Sequence, residues 1–312
     1  RGAQVLAQVE KEGKFAVVLA SRPYQNDALV NHELPDIFTG MGIPVLTADS
    51  VPGVEDQDLS LSRLDIVNNF HARMLSSAII TARSNNLEYV QLVSFGCGHD
   101  AYLSDEIVRL MNEISGKTPL VLKVDESDIQ GPLRIRVRSF LETVSMRRAQ
   151  GDVREVEPLH DPYPVKFEKA DKKKTVLIPN TSHAFCRLLS AVFRTQGVNA
   201  VPLEIGREDA IEMGKRYVHN DICFPAQIVI GEILAALKSG KYDVDNTAVA
   251  MAKYIGDCRL THYSALLRKA MDDAGFAQVP ILTNDDKDSH NLHPGFRLNL
   301  LSSARIAFGL PM

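Results

Sequence analysis

Short apolar runs that alternate with helical patterns are the feature that most constrains this chain. The first half contains four such runs, at 15–20, 43–47, 89–93 and 119–124, and the second half four more, at 175–179, 198–203, 247–252 and 279–283. Helical patterns at 34–41, 61–82, 103–114, 184–195, 225–237, 261–273 and 296–308 separate or follow these runs. Continuous apolar strands separated by helices predict mostly parallel sheets that are covered on both faces.

A charged, proline-containing stretch without periodicity divides this pattern in two. The stretch covers 150–174, after which the strand and helix order starts again. A length of 312 residues with 45% hydrophobic residues is enough for two domains with their own cores. We therefore predict a first α/β domain at 1–149, a linker at 150–174, and a second α/β domain at 175–312 that ends in a helix.

The two halves share landmarks that indicate an internal duplication. Cys97 precedes a proline-led strand at Pro119 by 22 residues, and Cys258 precedes Pro280 by the same 22. The stretch 68–71 also resembles 220–223. The alternative is that any two α/β units look alike. If the halves are duplicates, we expect two similar flavodoxin- or Rossmann-like domains whose strand-end loops face a shared cleft.

Composition and missing motifs exclude several classes of function. The formal net charge of −4 disfavours a nucleic-acid partner. No apolar run reaches the roughly 18 residues of a membrane helix, and no signal peptide is present, so we expect a cytoplasmic protein. The chain starts at Arg1 without a methionine, which is typical of a piece of a longer protein. Walker A, G-x-G-x-x-G, H-E-x-x-H and G-x-S-x-G motifs are absent from the sequence.

Four cysteines are the main candidates for chemistry. Cys97 lies between two glycines after a strand, and Cys223 and Cys258 each precede a helix, where the partial positive charge stabilises a thiolate. Cys186 lies within a helix, where its spacing fits a buried face equally well. Widely spaced thiolates suit an iron–sulfur cluster better than structural zinc, which usually has short C-x-x-C pairs. Buried structural thiols, and a nucleophilic Cys97 beside His99, are the alternatives.

Further polar residues on strand-end loops are candidates for the lining of the cleft. They are His32, His99, His183 and Arg259.

Several long motifs resemble those of one family. They are VLASRPY at 18–24, LTADS at 46–50, SFGCGHD at 94–100, LKVDE at 122–126, YVHNDICFP at 217–225 and GDCR at 256–259. These motifs resemble large anaerobic proteins that fuse a CoA-substrate-specific enzyme activase to 2-hydroxyacyl-CoA dehydratase-like domains. The resemblance covers nearly the whole chain.

The resemblance implies a redox module that binds a 4Fe–4S cluster through Cys97, Cys223 and Cys258, with Cys186 as a further candidate ligand. An ATP-dependent activase, expected on the same full-length chain, would supply electrons for radical dehydration or reduction of a CoA ester or small molecule. We expect no nucleotide site within 1–312, and loss of the cluster in air. The alternative is a non-catalytic docking or substrate-binding module without a cluster.

Overall fold

A computed structural model of the chain describes residues 1–66, 68–94, 96–127, 130–151, 155–204, 208–253, 256, 258–283, 290–297, 301 and 304. The chain divides into two compact units, Arg1–Asp161 and Pro162–Met312. The boundary falls inside the stretch 150–174. Within the described residues, no helix has the combination of length and apolar character that a bilayer span requires.

The first unit is a four-stranded parallel sheet with helices on its faces. Its strands are β1 (Ala16–Ala20), β2 (Val45–Thr47), β3 (Leu87–Ser94) and β4 (Leu120–Val124), in the order β2-β1-β3-β4. Its helices are α1 (Gly2–Lys11), α2 (Ala28–Asn31), α3 (Leu34–Thr39), α4 (Asn69–Arg83), α5 (Gly98–Ser115) and α6 (Gln130–Ala149). Short 3₁₀ turns follow β1 at Pro23–Asn26 and β2 at Ala48–Ser50.

The second unit repeats this topology. Its strands are β5 (Thr175–Ile178), β6 (Asn199–Pro202), β7 (Thr247–Met251) and β8 (Ile281–Thr283), all parallel, in the order β6-β5-β7-β8. Its helices are α7 (His183–Thr195), α8 (Glu208–Tyr217), α9 (Phe224–Lys238) and α10 (Tyr263–Asp273), with 3₁₀ turns at Lys169–Lys173, Val244–Asn246 and Arg259–His262. The predicted pair of α/β folds with parallel sheets is confirmed, and the matching strand orders support an internal duplication.

The first sheet is buried on both sides because its strands are apolar at successive positions. All five residues of β1 are buried. Since side chains alternate across a strand, Val17 and Leu19 share one face, where a core cluster also contains Phe38 of α3 and Val137 of α6. Helix α4 packs against β3 and against α5. Both faces are thus covered, which leaves the strand ends as the accessible parts of the sheet.

The second sheet is packed against aromatic side chains. Phe167 and Phe193 each contact the ring of Phe296, with centroids 6.2 and 5.2 Å apart. The same cluster contains Val176 of β5 and Cys186 of α7. One face of this sheet therefore has a core that includes the thiol of Cys186.

The helix predicted at 61–82 is wrong in its first part, because α4 begins only at Asn69. Before it, the chain is held by a buried ion pair of α5: Glu106 accepts from the backbone N–H of Arg63, and Arg109 donates to the carbonyl of Leu61. These long-range contacts replace the backbone bonds that a helix would make. Four helices of the structure, α1, α2, α6 and α8, have no counterpart among the helical patterns given for the sequence. Most of the helix predicted at 296–308 lies outside the described residues.

Helices α8 and α9 cross so closely that glycine is required at the contact. A Cβ atom built on Gly231 of α9 would lie 1.8 Å from the carbonyl oxygen of Ala210 in α8. A Cβ atom on Gly214 of α8 would lie 2.1 Å from the carbonyl oxygen of Gln227. Helix α9 begins directly after Cys223, so this packing fixes the place of that cysteine.

We expect Gly231→Ala to destabilise the second unit by about 1–3 kcal/mol, because the two helix backbones must move apart. The measurement is urea unfolding followed by circular dichroism. Gly131→Ala in α6 is the matched control, since a Cβ atom there meets nothing within 4 Å. Gly131 is the second residue of α6 and precedes Pro132, whose ring restricts a preceding alanine, so the control should change the free energy of unfolding by less than about 1 kcal/mol. Equal destabilisation of both variants would contradict the close contact.

Candidate functional site

The strand order places the loops after β1 and β3 side by side. In the first unit, β1 has β2 on one side and β3 on the other, so the chain direction across the sheet reverses between β1 and β3. Ligands of open parallel sheets bind beyond the carboxyl ends of the strands at such a reversal. Arg22 follows β1 and Cys97 follows β3. In the second unit Cys258 follows β7, the strand that corresponds to β3.

Cys97 lies at the N-terminus of α5, where it is the N-cap residue. Gly96 before it has a φ of +68°, a backbone conformation that side-chain-bearing residues rarely adopt. The N–H of Cys97 donates to the carbonyl oxygen of Ser94 at 3.2 Å, which closes the turn from strand to helix. The half-buried thiol therefore faces the positive end of an 18-residue helix.

Arg22 bridges Cys97 and Asp100. Its Nη2 atom donates to Cys97 Sγ at 3.0 Å and to Asp100 Oδ1 at 2.8 Å. The other oxygen of Asp100 accepts from the backbone N–H of Ser94 at 2.9 Å. Burial lowers the pKa of Arg22, but the nearby Asp100 and Cys97 outweigh burial and raise this pKa above its ordinary value. The guanidinium thus stays charged beside the sulfur.

The loop after β1 is fixed by a second layer of hydrogen bonds. The buried Gln25 accepts from the backbone N–H of Arg22 at 2.8 Å and donates to Ser94 Oγ at 3.1 Å. The hydroxyl of Tyr24 also contacts Ser94 Oγ at 3.1 Å. Asn31 donates to the carbonyl oxygen of Gln25. These bonds hold the backbone of Arg22 in place independently of its guanidinium.

Two histidines and a tyrosine lie beside this loop. His99 Nδ1 is 2.5 Å from the hydroxyl of Tyr102, and the ring of His99 lies 6.1 Å from that of His71. His71 is buried, and no partner is found for its Nε2 atom among the described residues. Burial, followed by the charges of Arg22 and His99, lowers the pKa of His71 to about 4. His71 is therefore neutral at neutral pH.

The other two histidines predicted to line a cleft, His32 and His183, are far from Cys97 in the sequence. His32 has a φ of 53°, and its Nε2 atom lies 2.9 Å from the carbonyl oxygen of Asp125, which follows β4. His183 is exposed and is the first residue of α7 in the second unit. Their assignment to a cleft stays a prediction.

In the second unit, Cys223 and Cys258 lie around Tyr263. Cys223 is the N-cap of α9, and its Sγ atom lies 3.1 Å from the hydroxyl of Tyr263. Cys258 is exposed and caps the 3₁₀ turn that leads into α10. Burial, followed by the contact with Cys223 and the charge of Cys258, raises the pKa of Tyr263, while Arg259 lowers it. Tyr263 therefore keeps its hydroxyl proton at neutral pH.

Cys186 differs from the other three cysteines. It is 1% exposed, belongs to the aromatic core, and donates its S–H to the carbonyl oxygen of Pro179 at 3.1 Å. A thiol that donates a hydrogen bond is protonated, whereas a metal ligand is a thiolate. This environment favours a structural role for Cys186.

The other three cysteines share a position that Cys186 lacks. Cys97, Cys223 and Cys258 each precede a helical turn, and none of them is buried. Helix N-termini stabilise anionic sulfur, and Arg22 and the hydroxyl of Tyr263 lie within hydrogen-bond distance of Cys97 Sγ and Cys223 Sγ. Among the residues that the structure describes, no three His, Cys, Asp or Glu side chains form a group that could hold a single metal ion.

Sequence reasoning missed three residues of these sites. Arg22 lies inside the VLASRPY motif at 18–24, but nothing in the sequence pairs it with Cys97, which is 75 positions away. Tyr263 lies five positions after Cys258, and nothing in the sequence pairs it with Cys223. His71 carried one signal, the likeness of 68–71 to 220–223, which aligns His71 with Cys223.

The depressed pKa of His71 predicts a pH-dependent contribution to stability. Between about pH 6.5 and about pH 4 the imidazole of His71 is protonated in the unfolded chain and neutral in the folded chain. The contribution of His71 to stability is therefore fully present above this range and is lost as the pH falls through it. We expect the contribution to reach about 2–3 kcal/mol. The unfolding free energies of the wild type and His71→Gln should therefore converge as the pH falls.

The matched control is His160→Gln, because His160 is exposed. The same convergence for His160→Gln would show that the loss of any imidazole gives the effect. A difference that stays constant with pH for His71→Gln would show that folding does not lower the pKa of His71.

Comparisons with known proteins bear on the first part of the chain. No curated protein matches the chain. Residues 1–51 match the family model described as a CoA enzyme activase uncharacterised domain, DUF2229. This segment includes β1, the SRPY motif with Arg22, and β2. For residues 1–51, the match confirms a resemblance to a CoA enzyme activase-like family.

Proposed function

We propose that this chain is an iron–sulfur redox module that accepts electrons from an ATP-dependent CoA enzyme activase. The observation that carries the proposal is the division of the four cysteines into two kinds. Cys97, Cys223 and Cys258 begin helical turns and are at least partly accessible, whereas Cys186 is a buried hydrogen-bond donor. Only the first kind suits iron.

Cys97, Cys223 and Cys258 are the proposed ligands of a 4Fe–4S cluster. When bound, the cluster would supply one-electron transfer, which no side chain of the protein provides. Arg22 and Asp100 position the sulfur of Cys97, and Tyr263 positions that of Cys223. Three thiolates would leave one iron open or held by a ligand other than cysteine. An open iron would be a substrate site, whereas a fully ligated cluster would be an electron relay.

The family match supports the proposed partner, and the proposed substrate class is the one that the sequence resemblance implies. Residues 1–51 match a domain described by its relation to a CoA enzyme activase, which supports an activase as the electron donor. The proposed reaction is radical dehydration or reduction of a CoA ester or small molecule. The carboxyl ends of the parallel strands are where such a ligand would bind.

A non-catalytic docking or substrate-binding module is the second candidate. The observation in its favour is that, within the described ranges, no three metal-binding side chains form one group. Such a module would keep the fold and the loops after the strands without holding iron.

The test is the iron and acid-labile sulfide content of protein purified and reconstituted without oxygen. We expect about four irons per chain and the electron paramagnetic resonance signal of a reduced cluster after dithionite. Cys97→Ala, Cys223→Ala and Cys258→Ala should each lose most of the iron, because a cluster with two thiolates is weakly held.

Cys186→Ala is the matched control. It removes a thiol from the core, so it should lower the melting temperature but keep the iron. Iron loss in a folded Cys186→Ala variant would make Cys186 a ligand. A wild-type protein that binds no iron after reconstitution would overturn the redox proposal in favour of the docking module.

A further inference from the structure

The loop after β1 exposes apolar side chains close to carboxylates. We call residues 23–33 the acidic loop, because they include the exposed Asp27 and Glu33 but no lysine or arginine. Its large exposed apolar side chains are Tyr24 (54% exposed), Leu29 (90%) and Val30 (37%). They belong to the 3₁₀ turn and to α2, which pack against each other. Exposed apolar side chains that lie together mark sites of interaction.

The acidic loop is held in one conformation by its own anchors. The buried Asn31 donates to the carbonyl oxygen of Gln25, which is also buried. His32 and Glu33 have φ values of 53° and 57°, in the left-handed region that residues with side chains rarely adopt. The Nε2 atom of His32 lies 2.9 Å from the carbonyl oxygen of Asp125. A loop fixed in this way loses little conformational entropy when it binds a partner.

A groove of the opposite charge runs along α6 beside the edge strand β4. The groove has a volume of about 800 Å³. Its apolar lining includes Leu120, Ile135, Phe140 and Met146, and its charged lining consists of Arg136 and Arg147. No aspartate or glutamate lines it among the residues that the structure describes. Ile135 and Met146 are 71% and 61% exposed, so the groove offers an open apolar surface.

Helix α6 makes the surroundings of this groove positive. The helix contains five arginines and a single acidic residue, Glu142. Its exposed arginines are Arg134, Arg136 and Arg138. Arg147 pairs with Glu88, but Arg136 donates to the carbonyl oxygen of Val121, which is uncharged and leaves the positive charge of Arg136 in place. We call this surface the basic groove, and its charge favours a partner with carboxylates.

The acidic loop and the basic groove do not meet within one molecule. Both belong to the first unit, and their apolar side chains are exposed in the folded chain. Their charges are opposite, and both present apolar surface that gains free energy when it leaves water. Two basic grooves would repel each other, as would two acidic loops. The two surfaces therefore match each other between two molecules, and neither matches itself.

We propose that the acidic loop of one copy of this chain binds the basic groove of a second copy. Leu29 packs against Ile135 and Met146, while Asp27 and Glu33 face the exposed arginines of α6. The two surfaces differ, so the contact is head-to-tail and each complex keeps one further loop and one further groove. The contact area is small, so the complex is weak and forms at high protein concentration. Because the acidic loop follows β1, the second copy binds beside the candidate site of the first unit.

The test is sedimentation velocity of the full chain without iron, at increasing protein concentration. The wild type should associate, and its dissociation constant should rise with ionic strength because salt screens the charges. Leu29→Ser and Ile135→Ser each remove one exposed apolar side chain, so both variants should fold. Each should raise the dissociation constant at least about tenfold, because an apolar anchor at the centre of a contact carries much of its binding energy.

A mixture of the two variants distinguishes the head-to-tail contact from other kinds of association. Leu29→Ser keeps an intact groove, and Ile135→Ser keeps an intact loop. Neither variant should associate alone, whereas the mixture should form a heterodimer that does not grow further. A mixture that stays monomeric while the wild type associates would overturn the proposal. Association of Ile135→Ser alone would also overturn it, because the contact would then not use the groove.

Val156→Ser is the matched control for the loss of exposed apolar surface. Val156 belongs to the first unit, is 53% exposed, and lies outside the acidic loop and the lining of the basic groove. The variant should associate as the wild type does. An equal loss of association would show that any exposed apolar side chain has this effect and would overturn the proposal.

Asp27→Asn tests the charge at constant structure. The side chain of Asp27 accepts from the backbone N–H of Leu29 at the start of α2, and asparagine can make the same bond. The variant should associate more weakly than the wild type and depend less on salt. Unchanged association would overturn the role of charge. A wild-type chain that stays monomeric at every concentration would overturn the whole proposal and leave the groove to a different protein. These outcomes are independent of the redox module, because the protein contains no iron in this experiment.

Discussion

The burial of the central strands on both faces determines where chemistry can occur in this protein. All five residues of β1 and all five of β7 are buried. A sheet covered on both sides has no open face, so polar and reactive side chains can reach a ligand only from the loops beyond the strand ends. The strand order of each unit reverses beside its central strand, which opens a crevice between two of those loops. Arg22 and Cys97 lie on these two loops in the first unit.

The helices that follow the strands add the electrostatic part of the site. Cys97, Cys223 and Cys258 each precede the first residue of a helical turn, where backbone N–H groups lack partners within the helix. The same N–H groups that the fold leaves without helical partners thus favour an anionic sulfur at that position. Cys186 is the fourth residue of α7, where its own N–H already bonds to the carbonyl oxygen of Ser182, and its S–H donates to the carbonyl oxygen of Pro179. The position of each cysteine relative to the helix N-terminus separates the two kinds.

The sequence was sufficient for the strands, their parallel arrangement and the place of Cys97 and Cys258, because apolar runs and strand-end loops are local patterns. It was insufficient where distant residues decide the outcome. The first part of the helix predicted at 61–82 is replaced by a segment that is hydrogen-bonded to Glu106 and Arg109 of α5. The residues of that segment do not indicate these distant partners. The partners of the cysteines were hidden for the same reason, since Arg22 and Tyr263 meet their sulfurs only after folding.

The repeated topology makes the differences between the units informative. The likeness of 68–71 to 220–223 aligns His71 with Cys223, and both lie near the start of the helix that precedes the third strand of their unit. The first unit thus has a buried, neutral histidine where the second has a cysteine. In the first unit the cation Arg22 donates a hydrogen bond to Cys97 Sγ, whereas in the second unit the neutral hydroxyl of Tyr263 contacts Cys223 Sγ. If the halves arose by duplication, they kept the sheet and diverged in the loops, because the core constrains the strands while the loop residues only need to support the site.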